Sequence, residues 1–157
     1  ADHQIMNYSE LQFMKAEAAF IKGDKPLAYD AFKKGIIAHM DFCKVSAANR
    51  DAYMTSAAVP QAAADLKLSD IMLQKYISQW VLGSVETWVD MRRYHYDPAV
   101  YTGFELPAIL YSGNNGKPAY RMRPRYNSEY VWNLETLNKL GGADIDYHTK
   151  EMWFTQK

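Results

Sequence analysis

Ser9-Glu-Leu-Gln-Phe-Met-Lys-Ala-Glu-Ala-Ala-Phe-Ile-Lys22, followed by Gly23-Asp24-Lys25-Pro26-Leu27-Ala28, is the stretch whose reading decides the fold. Leu11, Met14, Ala18 and Ile21 recur at three- and four-residue steps, the spacing of one apolar helical face. Ser9 is predicted to cap that helix. Gly23-Asp24 breaks the pattern, and Pro26 suits the first turn of a second helix. Leu27, Ala31, Ile36 and Met40 carry the second helix to Phe42. Two helices joined by a tight Gly-containing turn form an antiparallel hairpin.

Outward from the hairpin, Asn49–Ser56 and Gln61–Leu66 read as shorter helical pieces around Pro60. Ser69 is predicted to cap a further helix carrying Ile71, Leu73, Ile77, Trp80 and Val81, with Gly83 at its end. Glu86–Arg93 continues as a short helix. After Asp97-Pro98 the character changes: Tyr101–Tyr120 holds Pro107, Pro118 and the run Ser112-Gly113-Asn114-Asn115-Gly116, the chemistry of tight turns. Asn133–Leu140 is one more helix, stopped by Gly141-Gly142, and Asp144–Lys157 reads as a loop packing through Trp153 and Phe154. The expected fold is mainly α, helical over 8–93 and loop-rich over 94–157, within a single domain. So long a loop region is uncommon unless functional or braced by other structure, so the chain is expected to be part of a larger protein.

The 157 residues suffice for one domain, and 48% hydrophobic residues allow a sizeable core. Lys plus Arg and Asp plus Glu balance at 18 each, so no basic field draws nucleic acid. Cys43 stands alone, which excludes an internal disulfide and a cysteine zinc cluster. The chain opens on Ala1-Asp-His-Gln without a charged and apolar leader, so no signal peptide is visible, and it contains no apolar run long enough to span a membrane. This start is expected of a processed chain or a fragment.

His3, His39, His95 and His148 share no metal spacing, and no phosphate loop or nucleophile motif occurs, so neither metal nor cofactor is predicted. Glu86 and Asp90 lie one helical turn apart, a pairing that in a glycosidase does acid–base work. The neighbouring Arg92 and Arg93 favour ionised carboxylates, which argues for ion pairing instead of catalysis. Trp88 is predicted to pack in the core, making Glu86, Trp88, Arg92 and Arg93 a structural knot. Arg121, Arg123 and Arg125 alternate and are expected to form ion pairs along an extended segment. The ligand-facing candidates are the loop aromatics Tyr94, Tyr96 and Tyr101, whose rings suit a sugar face or a peptide side chain. With them go Asn114 and Asn115, whose amides both donate and accept.

The hairpin Leu11–Met40 is similar to a tetratricopeptide unit, with small Ala16 and Ala19 on the first helix and Ala28, Phe32 and Gly35 in a small-large-small spacing on the second. A wider series of blocks resembles the C-terminal portion of SusD/RagB proteins. Leu11-Gln-Phe-Met-Lys-Ala-Glu-Ala-Ala-Phe20 with Lys22-Gly23-Asp24 looks like that family's helix pair. Ile71-Met-Leu-Gln-Lys-Tyr76 resembles its Ile-x-x-Gln-Lys-Tyr/Trp helix, and Glu86-Thr-Trp88-Val-Asp-Met-Arg92-Arg93 its Glu-x-Trp-x-x-x-Arg-Arg segment. Arg125-Tyr126-Asn127-Ser128-Glu129 follows, with Asn127 where the family often has Pro. Gly141-Gly142-Ala143-Asp144 and Met152-Trp153-Phe154 close the series.

The resemblance implies a mainly helical, SusD-like nutrient-binding lipoprotein and not an enzyme. It implies surface exposure on the outer membrane, a lipid anchor on an N-terminal part upstream of this chain, and partnership with a SusC-like TonB-dependent transporter. The implied ligand is a glycan or an oligopeptide, held largely by regions outside this chain. Two other readings follow from the residues: a free-standing tetratricopeptide-like protein–protein interaction module, and a helical glycosidase using Glu86 or Asp90.

Overall fold

Asn7, not Ser9, starts the first helix: its Oδ1 accepts from the backbone N–H of Glu10 at 2.7 Å and from Ser9 Oγ at 2.6 Å. Asn and Ser cap about equally well, so the sequence alone did not separate them. The computed structural model describes residues 5–156, and His3 lies outside them. Its helices are α1 (Tyr8–Ile21), α2 (Lys25–Phe42), α3 (Ala47–Met54), α4 (Leu68–Ser78), α5 (Ser84–Arg93) and α6 (Leu134–Lys139). Single turns of other helix types occur at Ser112–Asn114, Tyr126–Tyr130 and Tyr147–Thr149. The described residues hold no strand, so the fold is mainly α. None of their helices is long and apolar enough to cross a membrane.

The chain divides into two compact units, Ala1–Met91 with Asp97–Gly103, and Arg92–Tyr96 with Phe104–Lys157. The division falls inside α5, between Met91 and Arg92.

In the first unit α1 and α2 form the expected hairpin. Asp24 caps α2 by accepting from Leu27 N–H, and Pro26 stands in the first turn. The two helices approach closely because Ala16, Ala19, Ala28, Ala31 and Gly35 are buried between them. Phe13 and Phe32 meet edge to face, with ring centroids 6.3 Å apart, and α4 lies against both helices through Ile71 and Met72. The buried face of α1 is not the predicted one. Phe13, Ala16 and Ala19 point inward with Ser9, Glu10, Gln12 and Glu17, while Leu11, Met14, Ala18 and Ile21 are exposed. The small residues set the packing distance, and the larger apolar set is displaced from the interface.

Three further expectations are corrected. Gln61–Leu66 is not helical but a series of turns. Gln61 Nε2 donates to the carbonyls of Met54, Ser56 and Val59, and this local bonding competes with a helix. The loop is tied to α2 by Tyr29 Oη on Pro60 O and Lys25 Nζ on Ala64 O. Helix α4 starts at Leu68, with the Asp70 carboxylate accepting from Lys67 N–H, so Ser69 is not its cap. It also ends at Ser78, before Trp80 and Val81. There Ser78 Oγ donates back to Lys75 O, and Val81 takes a left-handed φ of 72°.

In the second unit, Arg121 and Arg123 hold the tail by its backbone more than by ion pairs. Arg121 donates to the carbonyls of Lys150 and Glu151, and Arg123 to those of Ile145 and Asp144. Phe154 lies under the Arg92 guanidinium at 5.1 Å. Trp153, by contrast, is exposed, so the tail does not pack through it as predicted.

Candidate functional site

Tyr94, Tyr96, Asn114 and Asn115 fall in the second unit and Tyr101 in the first. Tyr94 is half-buried, with the Arg93 guanidinium 4.6 Å from its ring. Tyr96 stacks on Phe104 and meets Tyr120 edge to face, both at 5.6 Å, and its hydroxyl donates to Ala119 O. His95 and Tyr96 are successive left-handed residues, with φ of 53° and 55°, which turns the chain sharply after α5. Tyr101 is buried.

Asn114 is buried and serves an internal node. Arg123 Nη1 lies 3.2 Å from His148 Nδ1, and a guanidinium only donates, so Nδ1 is the acceptor. The ring proton therefore sits on Nε2 and is donated to Asn114 Oδ1 at 2.7 Å. Asn114 Nδ2 donates to Lys117 O. Asn115 is exposed and left-handed, with φ 51°. Burial first, then the Glu151 charge, pushes the Tyr120 phenol above its ordinary range, so its hydroxyl stays neutral near His95. Burial lowers the Arg92 pKa; Nη1 of this side chain donates to Tyr120 O at 2.8 Å.

The four residues read as a structural knot take different positions. Glu86 is exposed, and Asp90 is buried against Lys75 of α4 with a 2.6 Å ion pair. Lys75 carries no sequence signal pairing it with Asp90, because the two belong to different helices. Trp88 is half-buried and lines a hollow between α4 and α5 in the first unit.

That hollow has a volume of about 390 Å³, within the ~300–1,000 Å³ range of small-ligand sites. Tyr76, Trp80 and Trp88 supply three aromatic rings, with Met91 and Val81 beside them and Gln79, Ser84 and Thr87 as the polar groups. Tyr76 and Trp80 meet edge to face at 6.4 Å. Trp80 is 68% exposed, because the early end of α4 swings it out of the helix on which the sequence placed it. Periodicity could not find this site, since Trp80 and Val81 continue the apolar spacing of α4 without a breaker before Gly83. Among the described residues no group of three or more His, Cys, Asp or Glu is placed to hold a metal.

A family model described as SusD-like, starch-binding associating with outer membrane, matches residues 1–127. The chain belongs to the SusD-like family. The match covers α1 to α5, the α4–α5 hollow and all five loop candidates, and ends before the Gly141-Gly142 and Trp153-Phe154 blocks. No curated protein and no solved structure matches the chain. SusD-like proteins associate with the outer membrane and bind glycans in nutrient uptake, as binding proteins and not enzymes.

Proposed function

We propose that this SusD-like chain is the C-terminal part of a single-domain, cell-surface lipoprotein that captures a glycan or oligopeptide and passes it to a SusC-like TonB-dependent transporter. The family match over residues 1–127 carries the reading. Its lipid anchor belongs to the N-terminal part of the protein, upstream of this chain, and the barrel is its partner. Tyr94, Tyr96, Tyr101, Asn114 and Asn115 remain proposed ligand contacts. Of these, Asn115 has the exposed side chain best placed to meet a ligand directly, while Tyr96 and Asn114 already spend polar groups inside the fold. The test is affinity purification of the tagged protein from outer membranes. Recovery of a TonB-dependent barrel is expected, and repeated recovery without one counts against the partnership.

The exposed apolar set Leu11, Met14 and Ile21 on α1 favours a second reading, a helical module that binds another protein segment. That reading requires the chain to melt cooperatively by itself, and loss of cooperative folding outside the longer protein would exclude it.

A further inference from the structure

His39 and Cys43 stand one helical turn apart at the end of α2, and Cys43 Sγ lies 3.4 Å from His39 Nε2. Both belong to the first unit. Residues four apart share a helix face. His39 O accepts from Cys43 N–H at 2.9 Å, so the backbone fixes the spacing of the two side chains. The thiol is exposed and the ring half-buried, so the sulfur is reached from solvent while the ring is held by the fold.

Three features make this pair a chelate and not a solitary thiol. The first is distance. Tetrahedral zinc holds sulfur at about 2.3 Å and an imidazole nitrogen at about 2.0–2.1 Å, which places the two ligand atoms about 3.5 Å apart. The separation of 3.4 Å is already that of two ligands on one ion. The second is protonation. Metal ligands bind as thiolate and neutral imidazole, and burial holds the His39 pKa below its ordinary value, which favours the neutral ring. The third is the local field. The last turn of a helix carries the negative end of its dipole, which favours a cation. The neighbouring carboxylates of Asp41 and Asp51 are engaged by Arg50, which leaves water for the remaining positions. Sulfur and imidazole suit zinc, whereas the hard ions calcium and magnesium take oxygen ligands.

We propose that His39 and Cys43 bind a Zn²⁺ ion at the C-terminal end of α2, with Nε2 and Sγ as its two protein ligands and water completing the coordination. On binding, the Cys43 thiol gives its proton to solvent, and sulfur and Nε2 each donate a lone pair to the ion. Nothing is oxidised or reduced. Two protein donors make an open site, short of the four of a closed structural zinc site. The site stands apart from the glycan and transporter reading and does not rest on it.

The test uses the full-length protein, freed of any histidine tag and kept reduced. Zn²⁺ is titrated calorimetrically in two buffers of different ionisation enthalpy, and Co²⁺ then serves as a spectroscopic substitute. Saturable binding with release of a proton is expected, together with a thiolate-to-cobalt charge-transfer band. Cys43→Ser and His39→Gln are each expected to weaken Zn²⁺ binding by about tenfold or more, the loss that even an outer-shell partner causes. Cys43→Ser should also abolish the band. The Cys43 side chain is exposed, so the serine variant is expected to keep the native melting temperature in metal-free buffer. Cys43→His keeps two donors one turn apart and is expected to retain Zn²⁺ without the sulfur band. Zn²⁺ bound by Cys43→Ser as tightly as by the native protein would assign the ion to other side chains and overturn the site. A native protein that shows no charge-transfer band with Co²⁺ would also overturn it, reducing the pair to a thiol–imidazole hydrogen bond.

Discussion

Lys75 Nζ lies 2.6 Å from Asp90 Oδ2, and the two side chains are only 8% and 10% exposed. This pair joins α4 to α5 and sets the separation of the walls between which Tyr76 and Trp88 stand. Breaking a buried ion pair by removing one partner costs about 3–5 kcal/mol. Lys75→Met or Asp90→Leu is therefore expected to lower the urea midpoint of the full-length protein by an amount corresponding to that range. The double variant removes both charges at once and is expected to regain most of the loss. Additive losses in the double variant would show that the pair does not act as a unit.

Gly35 is where the hairpin is tightest. A Cβ there would sit 2.8 Å from Cε1 and Cζ of Phe13, a ring with no exposed surface and no room to retreat from Phe32. Alanine gains about 1 kcal/mol over glycine in a helix interior, but overpacking a close-packed core costs about 1–3 kcal/mol. The steric cost is expected to win because Phe13 is enclosed. Gly35→Ala should lower the thermal midpoint, and Gly35→Val should lower it further. A stabilised Gly35→Ala would mean that α1 and α2 separate without penalty.

The hairpin was legible because two signals agreed: a helical period on either side of Gly23-Asp24, and small residues at Ala16, Ala19, Ala28 and Gly35. Which face of α1 turns inward was not, because Leu11, Met14 and Ile21 outweigh Phe13 in apolar count. Only the partner helix reveals that the small face is the one that packs. The end of α4 was hidden for a related reason. Trp80 and Val81 keep the apolar period, and the chain departs through a left-handed valine, a conformation no sequence rule favours. The missed hollow is a direct consequence, since it exists only because Trp80 leaves the helix. In the loop-rich region the turns at Ser112–Asn115 were readable from composition. The use of Asn114 as a partner for His148, 34 residues away, was not, because nothing local links them.

That partnership makes its own prediction. His148 is buried with its Nε2–H aimed at Asn114 Oδ1. Asn114→Leu keeps the size but leaves the donor unmet, a loss of about 1–3 kcal/mol for a buried group. Faster amide hydrogen exchange is expected across residues 111–117 and 145–149, together with a lower melting temperature. Asn115→Ala, at an exposed left-handed position, is expected to disturb exchange only in the turn itself. Unchanged protection around His148 in Asn114→Leu would show that the node does not hold the tail.

His39 gives the fold a dependence on pH. Burial lowers its pKa from the ordinary 6.5, so the folded chain favours the neutral ring more strongly than the unfolded chain does. Below 6.5 the unfolded state binds the proton first, and stability rises with pH wherever the unfolded state holds more protons. The contribution is therefore fully present above pH 6.5 and is lost as the pH falls through the depressed folded value. His39→Gln removes the titrating group and is expected to flatten this part of the profile. The measurement is the urea midpoint at pH 8.0 and pH 5.5 for both proteins. The native protein should lose more between the two than the variant does, since carboxylate effects are common to both. A variant that loses as much as the native protein would place the pH dependence elsewhere. One that loses more would reverse the sign and show that the folded state stabilises the charged ring.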